Sequence, residues 1–325
     1  MTTRLEELES KPIINAQELA ELCALSTQEQ FIVENMIPAQ ATSIIVGDSG
    51  LGKSPLAYQL ALSITTGLRF CNLPVMQSPV LMVDLENSIG QADEMIESLH
   101  KFMAIDARPL NLFRLNSYIP STTEEWMKFF SDIKDTTVII DSLRAAWPSV
   151  PEKNMLAAEL LQKLKAIARK QSLTFILIHH LRKPGTGEDT PPELKHVSLL
   201  EWLNQASGAR ALINQSAGRI GVTSDGEDRL LLKSKIRVYD ELDWVLVREY
   251  DSQGSPAGYR MELGLDSITP GAKQDFLKLP HEFRFVDARL LLDKKGGALV
   301  NFLGKCIRAG ILERLPKDGG YRKTV

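Results

Sequence analysis

Apolar positions in this chain fall into short unbroken runs, separated by stretches in which they recur every three or four residues. That alternation predicts strands buried on both faces with helices between them. The run Thr42-Ser43-Ile44-Ile45-Val46 predicts a first core strand, and Leu56-Ala57-Tyr58-Gln59-Leu60-Ala61-Leu62 beyond it has helical spacing. Pro79-Val80-Leu81-Met82-Val83-Asp84 predicts a second buried strand, with a charged helix from about residue 90 to 102 after it. Leu112-Phe113-Arg114-Leu115 reads as a short strand, residues 124–133 as a helix, and Thr136-Thr137-Val138-Ile139-Ile140-Asp141-Ser142-Leu143 as a further buried strand. Residues 154–171 carry Leu156, Leu160, Leu161, Leu164, Ile167 and Ala168 at helical spacing, and Leu173-Thr174-Phe175-Ile176-Leu177-Ile178 then runs into His179-His180. The expected class is α/β, with a mostly parallel central sheet covered on both faces.

The flanks are less regular. Residues 15–23 have the spacing of a short amphipathic helix, either an ordinary packing helix or an arm that docks on a neighbouring subunit, so residues 1–29 are set apart as an N-terminal helical arm. Residues 181–200, rich in Pro, Gly and charge, predict a surface loop. Residues 211–222 and 229–237 predict two later strands and 244–250 one more, which extend the sheet or form a hairpin. At Ser267-Ile268-Thr269-Pro270-Gly271 the pattern breaks. The core is therefore expected over residues 30–266 and a separate small module over 267–325. In that module, helices at 285–292 and 298–309 precede two short apolar runs around Asp318-Gly319-Gly320, the layout of a winged-helix domain.

Composition narrows the class. The chain has 325 residues, 44% of them hydrophobic, and a net charge of −3, enough to bury a large core and too balanced for a protein that coats nucleic acid. Any nucleic-acid contact is expected to be regional. Cys23, Cys71 and Cys306 are odd in number and widely spaced, which suggests no disulfide framework and a reducing, cytoplasmic setting. The opening MTTRLEELESKP has no apolar signal region, and no run reaches the roughly 20 apolar residues of a membrane span, so no membrane partner is expected.

The chemistry concentrates at strand ends. Gly47-Asp48-Ser49-Gly50-Leu51-Gly52-Lys53-Ser54 has the form G-x-x-x-x-G-K-[ST] between a strand and a helix, the loop that presents backbone N–H groups and a helix N-terminus to phosphates. Lys53 would reach the outer phosphates, Ser54 would ligate Mg²⁺, and Pro55 suits a first helical turn that needs no donor there. ATP with Mg²⁺ is the expected cofactor, although no motif that reads the base is evident. Asp141 closes its strand where a metal-supporting carboxylate belongs, or else caps a helix. Glu86 closes the strand that ends in Asp84, two residues past it, where a carboxylate could activate water, or else belongs to a capping cluster with Asn87 and Ser88. His180 follows the buried strand Leu173-Thr174-Phe175-Ile176-Leu177-Ile178, where an imidazole could sense the terminal phosphate, or serves structure alone.

The ordered runs GDSGLGKS, VLMVDLENS, VIIDSLRAA and FILIHHLRKPG resemble the RecA-like P-loop ATPases of the RepA-type hexameric helicase group, encoded on plasmids, phages and other mobile elements. The resemblance spans roughly residues 30–250, and residues 206–219 resemble the stretch that follows the family's DNA loop. It implies Glu86 as catalytic base, Asp141 as Mg²⁺ support and His180 as the link between phosphate state and DNA loops. It also implies a ring, with Lys235 and Arg237 of the Lys233-Ser234-Lys235-Ile236-Arg237 string reaching a neighbour's nucleotide. Lys233 with Lys235 is an alternative register, Arg210 a competing finger, and a solvated strand edge the plain alternative. In the 181–200 loop, Arg182, Lys183 and Lys195 would meet single-stranded DNA in the ring channel, though Glu188, Asp189 and Glu193 neutralise it. Lys305, Arg308, Arg314, Lys317, Arg322 and Lys323 would give the winged helix a basic face for duplex DNA or a protein. The implied function is an ATP-hydrolysing hexameric replicative helicase of a mobile element. The alternative is a non-motor DNA-binding switch, initiator or helicase loader.

Overall fold

The computed structural model describes the chain except for residues 1–3, 5–6, 9–10, 26–29, 116–118, 182–191, 206–209, 238, 269 and 316–318. After a helix Ala16–Leu25, two short strands, β1 (Phe31–Val33) and β2 (Ile37–Pro38), pair antiparallel. The core strands are β3 (Thr42–Gly47), β4 (Val80–Asp84), β5 (Leu112–Arg114), β6 (Thr137–Asp141) and β7 (Thr174–His180), then β8 (Gly218–Ser224), β9 (Arg229–Ile236), β10 (Leu242–Tyr250) and β11 (Pro256–Met261). Among the described residues these nine form one sheet in the order β11-β10-β9-β8-β3-β7-β6-β4-β5. From β8 to β5 the neighbours are parallel, and β9, β10 and β11 add an antiparallel extension.

The unbroken apolar runs have a simple cause. Alternate residues of a strand face opposite sides, and both sides are covered. Ile44, Val46, Val138, Ile140, Phe175 and Leu177 pack with Trp126, Phe130, Leu160 and Leu164 of the helices Thr123–Ser131 and Asn154–Gln171. Ile45, Ile139, Ile176, Ile178 and Met82 pack on the other side with Leu56, Leu60 and Ile64 of the helix Lys53–Thr66. Each fully buried side chain of this size contributes about 1.5–3 kcal/mol, so the two layers hold rigid the edge that carries the strand ends.

Several segments depart from their sequence pattern: the expected surface loop 181–200 ends in a turn at Leu194–His196, with Leu194 buried, and the start of a helix Leu199–Gln205, β11 is not among the expected strands, and two more follow. Residues 211–222, expected to be one strand, divide into a helix Arg210–Gln215 and β8. Arg219 is the reason: its guanidinium donates to the carbonyls of Ile213 (2.5 Å) and Asn214 (3.3 Å), which satisfies the end of the helix from inside the next strand. A helix Pro270–Lys278 forms where the Pro-Gly pair suggested only a break, because proline is accepted in a first helical turn.

The last segment has its own apolar cluster, with Phe276, Phe283, Leu299, Leu303, Cys306 and Ile311 at its centre. Helices Phe285–Leu292 and Gly296–Arg308 pack beside a three-stranded antiparallel sheet of β12 (Glu282–Arg284), β13 (Leu312–Arg314) and β14 (Gly320–Lys323), in the order β12-β14-β13. It is tied to β10 by Asp243, which lies 2.6 Å from Lys305 Nζ and 3.7 Å from Arg308. No described helix is long and apolar enough to cross a membrane.

Candidate active site

The glycine loop leaves β3 at the carboxyl edge of the parallel strands. Gly50 (φ 81°) and Gly52 (φ 86°) lie in the left-handed region, and a Cβ on Gly52 would come within 2.1 Å of the Tyr259 hydroxyl. Lys53 is buried, and its ammonium donates to the carbonyls of Gly47 (2.9 Å) and Asp48 (2.5 Å). Burial lowers its pKa, while Asp141, Asp48 and Glu86 oppose that shift. The amine is thus held at the mouth of the loop.

Asp84 and Asp141 sit opposite one another at the ends of β4 and β6, in contrasting surroundings. Asp84 accepts from the Tyr58 hydroxyl (2.7 Å), from the backbone N–H of Glu86 (3.1 Å) and Asn87 (2.9 Å), and from the Asn87 side chain (3.0 and 3.1 Å). Asp141 is 1% exposed, and neither of its oxygens has a hydrogen-bond partner of normal geometry. Burial pushes its pKa up to about 6; the nearby Ser54 hydroxyl pulls the other way, and Glu86 and Asp84 add to the rise. An orphaned buried carboxylate beside a hydroxyl is a hard-oxygen donor set, and it fits Mg²⁺. Asp84, already saturated with donors, does not need a cation.

Glu86 and His180 complete the cluster. His180 Nε2 lies 3.1 Å from Glu86 Oε1, and its Nδ1 lies 3.4 Å from Ser49 Oγ in the glycine loop. Ligand atoms of Glu86, Asp141 and His180 all lie within 4.8 Å of one another. Neither carboxylate is absorbed by a helix cap. Ser88 and Gln91 form the capping box of Ile89–Phe102, and Ser142 caps Leu143–Ala146. A cleft of about 1030 Å³ opens in front of these groups, lined by Lys53, Ser54, Glu86, His180, Phe102 and Tyr250 among others. That volume is ample for a nucleotide.

The antiparallel hairpin β10–β11 closes one side of the loop, which its sequence did not announce. Tyr259 Oη lies 3.3 Å from the carbonyls of Leu51 and Gly52, and Arg248 donates to Leu51 O at 3.3 Å. Gln59, one helical turn past Pro55, binds the Tyr259 backbone through both ends of its amide (2.7 and 2.8 Å).

Lys235 and Arg237 are not brought to this cluster. In the β8–β9 register Lys235 lies opposite Arg219 and Ile236 opposite Gly218, at the amino end of the parallel strands, whereas the glycine loop leaves the carboxyl end. Lys233, the alternative member of the pair, is buried and held by Val197 O (2.8 Å) and Glu241 (3.4 Å). Arg210 is exposed at the start of its helix. Of the basic residues expected to meet DNA, Arg182, Lys183 and Lys317 lie outside the described residues, as do Glu188 and Asp189. Lys195 pairs with Glu193 at 2.6 Å. Lys305 and Arg308 turn toward Asp243, Arg322 pairs with Glu313, and Lys323 stands over the Phe276 ring. Of the basic face read from the sequence, Lys305, Arg308 and Arg322 are therefore paired with carboxylates, while Arg314 is exposed.

The family model described as AAA domain matches residues 11–186. That is more than half of the chain, which therefore belongs to this family and carries an AAA-type P-loop ATPase domain of the RecA-like kind. No curated protein matches the chain.

Proposed function

We propose that this member of the AAA domain family hydrolyses ATP with Mg²⁺ and couples hydrolysis to movement on single-stranded DNA as a ring, the replicative helicase of a plasmid or other mobile element. The observation that carries the hydrolytic part is the orphaned Asp141 carboxylate beside Ser54, with Glu86 and Lys53 in the same cleft. Bound Mg²⁺ would offset charge on the phosphate oxygens and would be held by Ser54 and Asp141. Lys53 and the loop N–H groups neutralise the terminal phosphates, and Glu86 accepts the proton of the attacking water as the γ-phosphoryl group transfers in line. His180 touches both Glu86 and the loop, so it senses whether that phosphate is present.

The ring rests on the resemblance. Lys235 and Arg237 lie at the amino end of the parallel strands, away from their own chain's glycine loop, so as fingers they would have to serve a neighbour's site. Residues 1–29 would form the arm, 30–266 the motor core and 267–325 a winged helix, a reading supported by the helix–helix–hairpin order around β13 and β14. A non-motor switch or loader is the second reading. Its specific support is the pairing of Lys305, Arg308 and Arg322 with carboxylates together with exposed Val286 and Leu290, which suits protein contact better than phosphate contact.

The test is steady-state ATP hydrolysis across protein concentration, with and without single-stranded DNA, with Glu86→Gln as the dead control. A severalfold stimulation by DNA and a specific activity that climbs with concentration are expected. Slow hydrolysis indifferent to single strands would favour the switch.

A further inference from the structure

We infer that Asp84 is a positioning residue for the Glu86 base, holding the turn after β4 in the conformation that aims the carboxylate into the cleft. The inference rests on the reading of Glu86 as base. Asp84 is 5% exposed, and its carboxylate gathers donors from two directions. Oδ1 accepts the backbone N–H groups of Glu86 (3.1 Å) and Asn87 (2.9 Å), which fixes the peptide plane from which the Glu86 side chain departs. The Asn87 amide closes on both oxygens at 3.0 and 3.1 Å. From the other side, Tyr58 donates to Oδ2 at 2.7 Å.

Tyr58 gives this contact its direction. It lies in the helix that begins at Lys53, so a single buried hydrogen bond joins the phosphate-loop helix to the turn that carries the base. Arg114 of β5 clamps the same turn through the carbonyls of Asp84 (3.4 Å) and Asn87 (2.9 Å), and Leu85 N–H donates to Asp141 O at 2.7 Å. The turn is therefore tied to the loop helix, to the neighbouring strand and to the metal-supporting strand. Glu86 itself is about one-third exposed and has one described contact, His180. Its own side chain does not fix its place; the backbone beneath it does, and Asp84 holds that backbone.

The decisive experiment compares Asp84→Ala, Asp84→Asn and Glu86→Gln by kcat, by KM for ATP, and by affinity for a fluorescent ATP analogue in the full chain. Asp84→Ala should lower kcat about 10- to 100-fold, the usual cost of losing a partner that orients an active-site group. KM and analogue affinity should stay within about threefold, because the phosphate loop is untouched. Asp84→Asn keeps Oδ1 as acceptor for both N–H groups and should recover most of the rate. The inference is overturned if Asp84→Ala retains kcat within about twofold, if affinity falls in step with kcat, or if Asp84→Asn is no better than Asp84→Ala. Should Asp84→Ala not fold, Tyr58→Phe decides: a loss of kcat at unchanged affinity supports the positioning role, and wild-type kcat sinks it. An active Glu86→Gln would instead remove the base itself, whereas an inactive Glu86→Gln beside an unimpaired Asp84→Ala would remove this inference alone.

Discussion

Asp141 is buried with neither oxygen in a hydrogen bond of normal geometry, and burial raises its pKa to about 6 against the pull of the nearby Ser54 hydroxyl. A folded-state carboxyl that titrates above its usual 3.8 holds its proton more tightly than the unfolded chain does. Its contribution to stability is complete below about pH 4 and is lost as pH rises through 6. The shift corresponds to about 2–3 kcal/mol at neutral pH as an upper figure. Asp141→Asn should therefore melt higher than the parent at pH 8 without nucleotide or metal, with the advantage vanishing toward pH 4, while hydrolysis collapses. A lower melting temperature at pH 8 would contradict the orphaned state of this carboxylate. Gly52 makes a second residue-scale case. A Cβ there would strike the Tyr259 hydroxyl, and φ 86° is strained for any side chain, a cost of about 1–3 kcal/mol. Gly52→Ala should weaken binding of a fluorescent ATP analogue about tenfold or more; an unchanged affinity would mean the hairpin moves aside freely.

Among the elements, the strands buried on both faces and the helices between them were legible, because burial on both sides writes itself as an apolar run. β11 was not. Its sequence Pro256-Ala257-Gly258-Tyr259-Arg260-Met261 has no β-branched residue and includes both proline and glycine, yet it pairs as the edge of the sheet. Gln59 explains how that edge is managed. Its amide takes up the outward N–H and C=O of Tyr259, which a neighbouring strand would otherwise seek. Gln59→Ala leaves two buried backbone groups unpaired and should cost about 2–4 kcal/mol in a denaturant titration. A loss under about 0.5 kcal/mol would show that water satisfies the edge instead. The helix Arg210–Gln215 escaped for a related reason, since the guanidinium that ends it belongs to the following strand.

For the whole molecule, the decisive relation is between the two ends of the sheet. The loop, Glu86, Asp141 and His180 lie at the carboxyl end, and Lys235 and Arg237 at the other. Mixing Lys53→Ala with Arg237→Ala, each expected to be nearly inactive alone, should restore part of the hydrolysis, because a mixed interface joins an intact loop to an intact finger. No recovery on mixing, measured as specific activity at fixed total protein, would remove Arg237 as a trans-acting group. The last segment behaves as a whole-molecule feature too. Lys305 and Arg308 looked available for DNA in the sequence, and they are spent on Asp243, a residue more than sixty positions earlier.

The sequence by itself determined the phosphate loop, the parallel core and the strand-end positions of Glu86, Asp141 and His180, since each depends on local spacing: a glycine pattern, an apolar period, a polar residue closing a strand. Only the tertiary structure decided which carboxylate is saturated and which is orphaned, that Ser88 and Ser142 release Glu86 and Asp141 from capping, and that the hairpin β10–β11 closes on Gly52. Those outcomes turn on which donors from distant strands and helices arrive within 3 Å of an oxygen, and no periodicity along the chain records that distance.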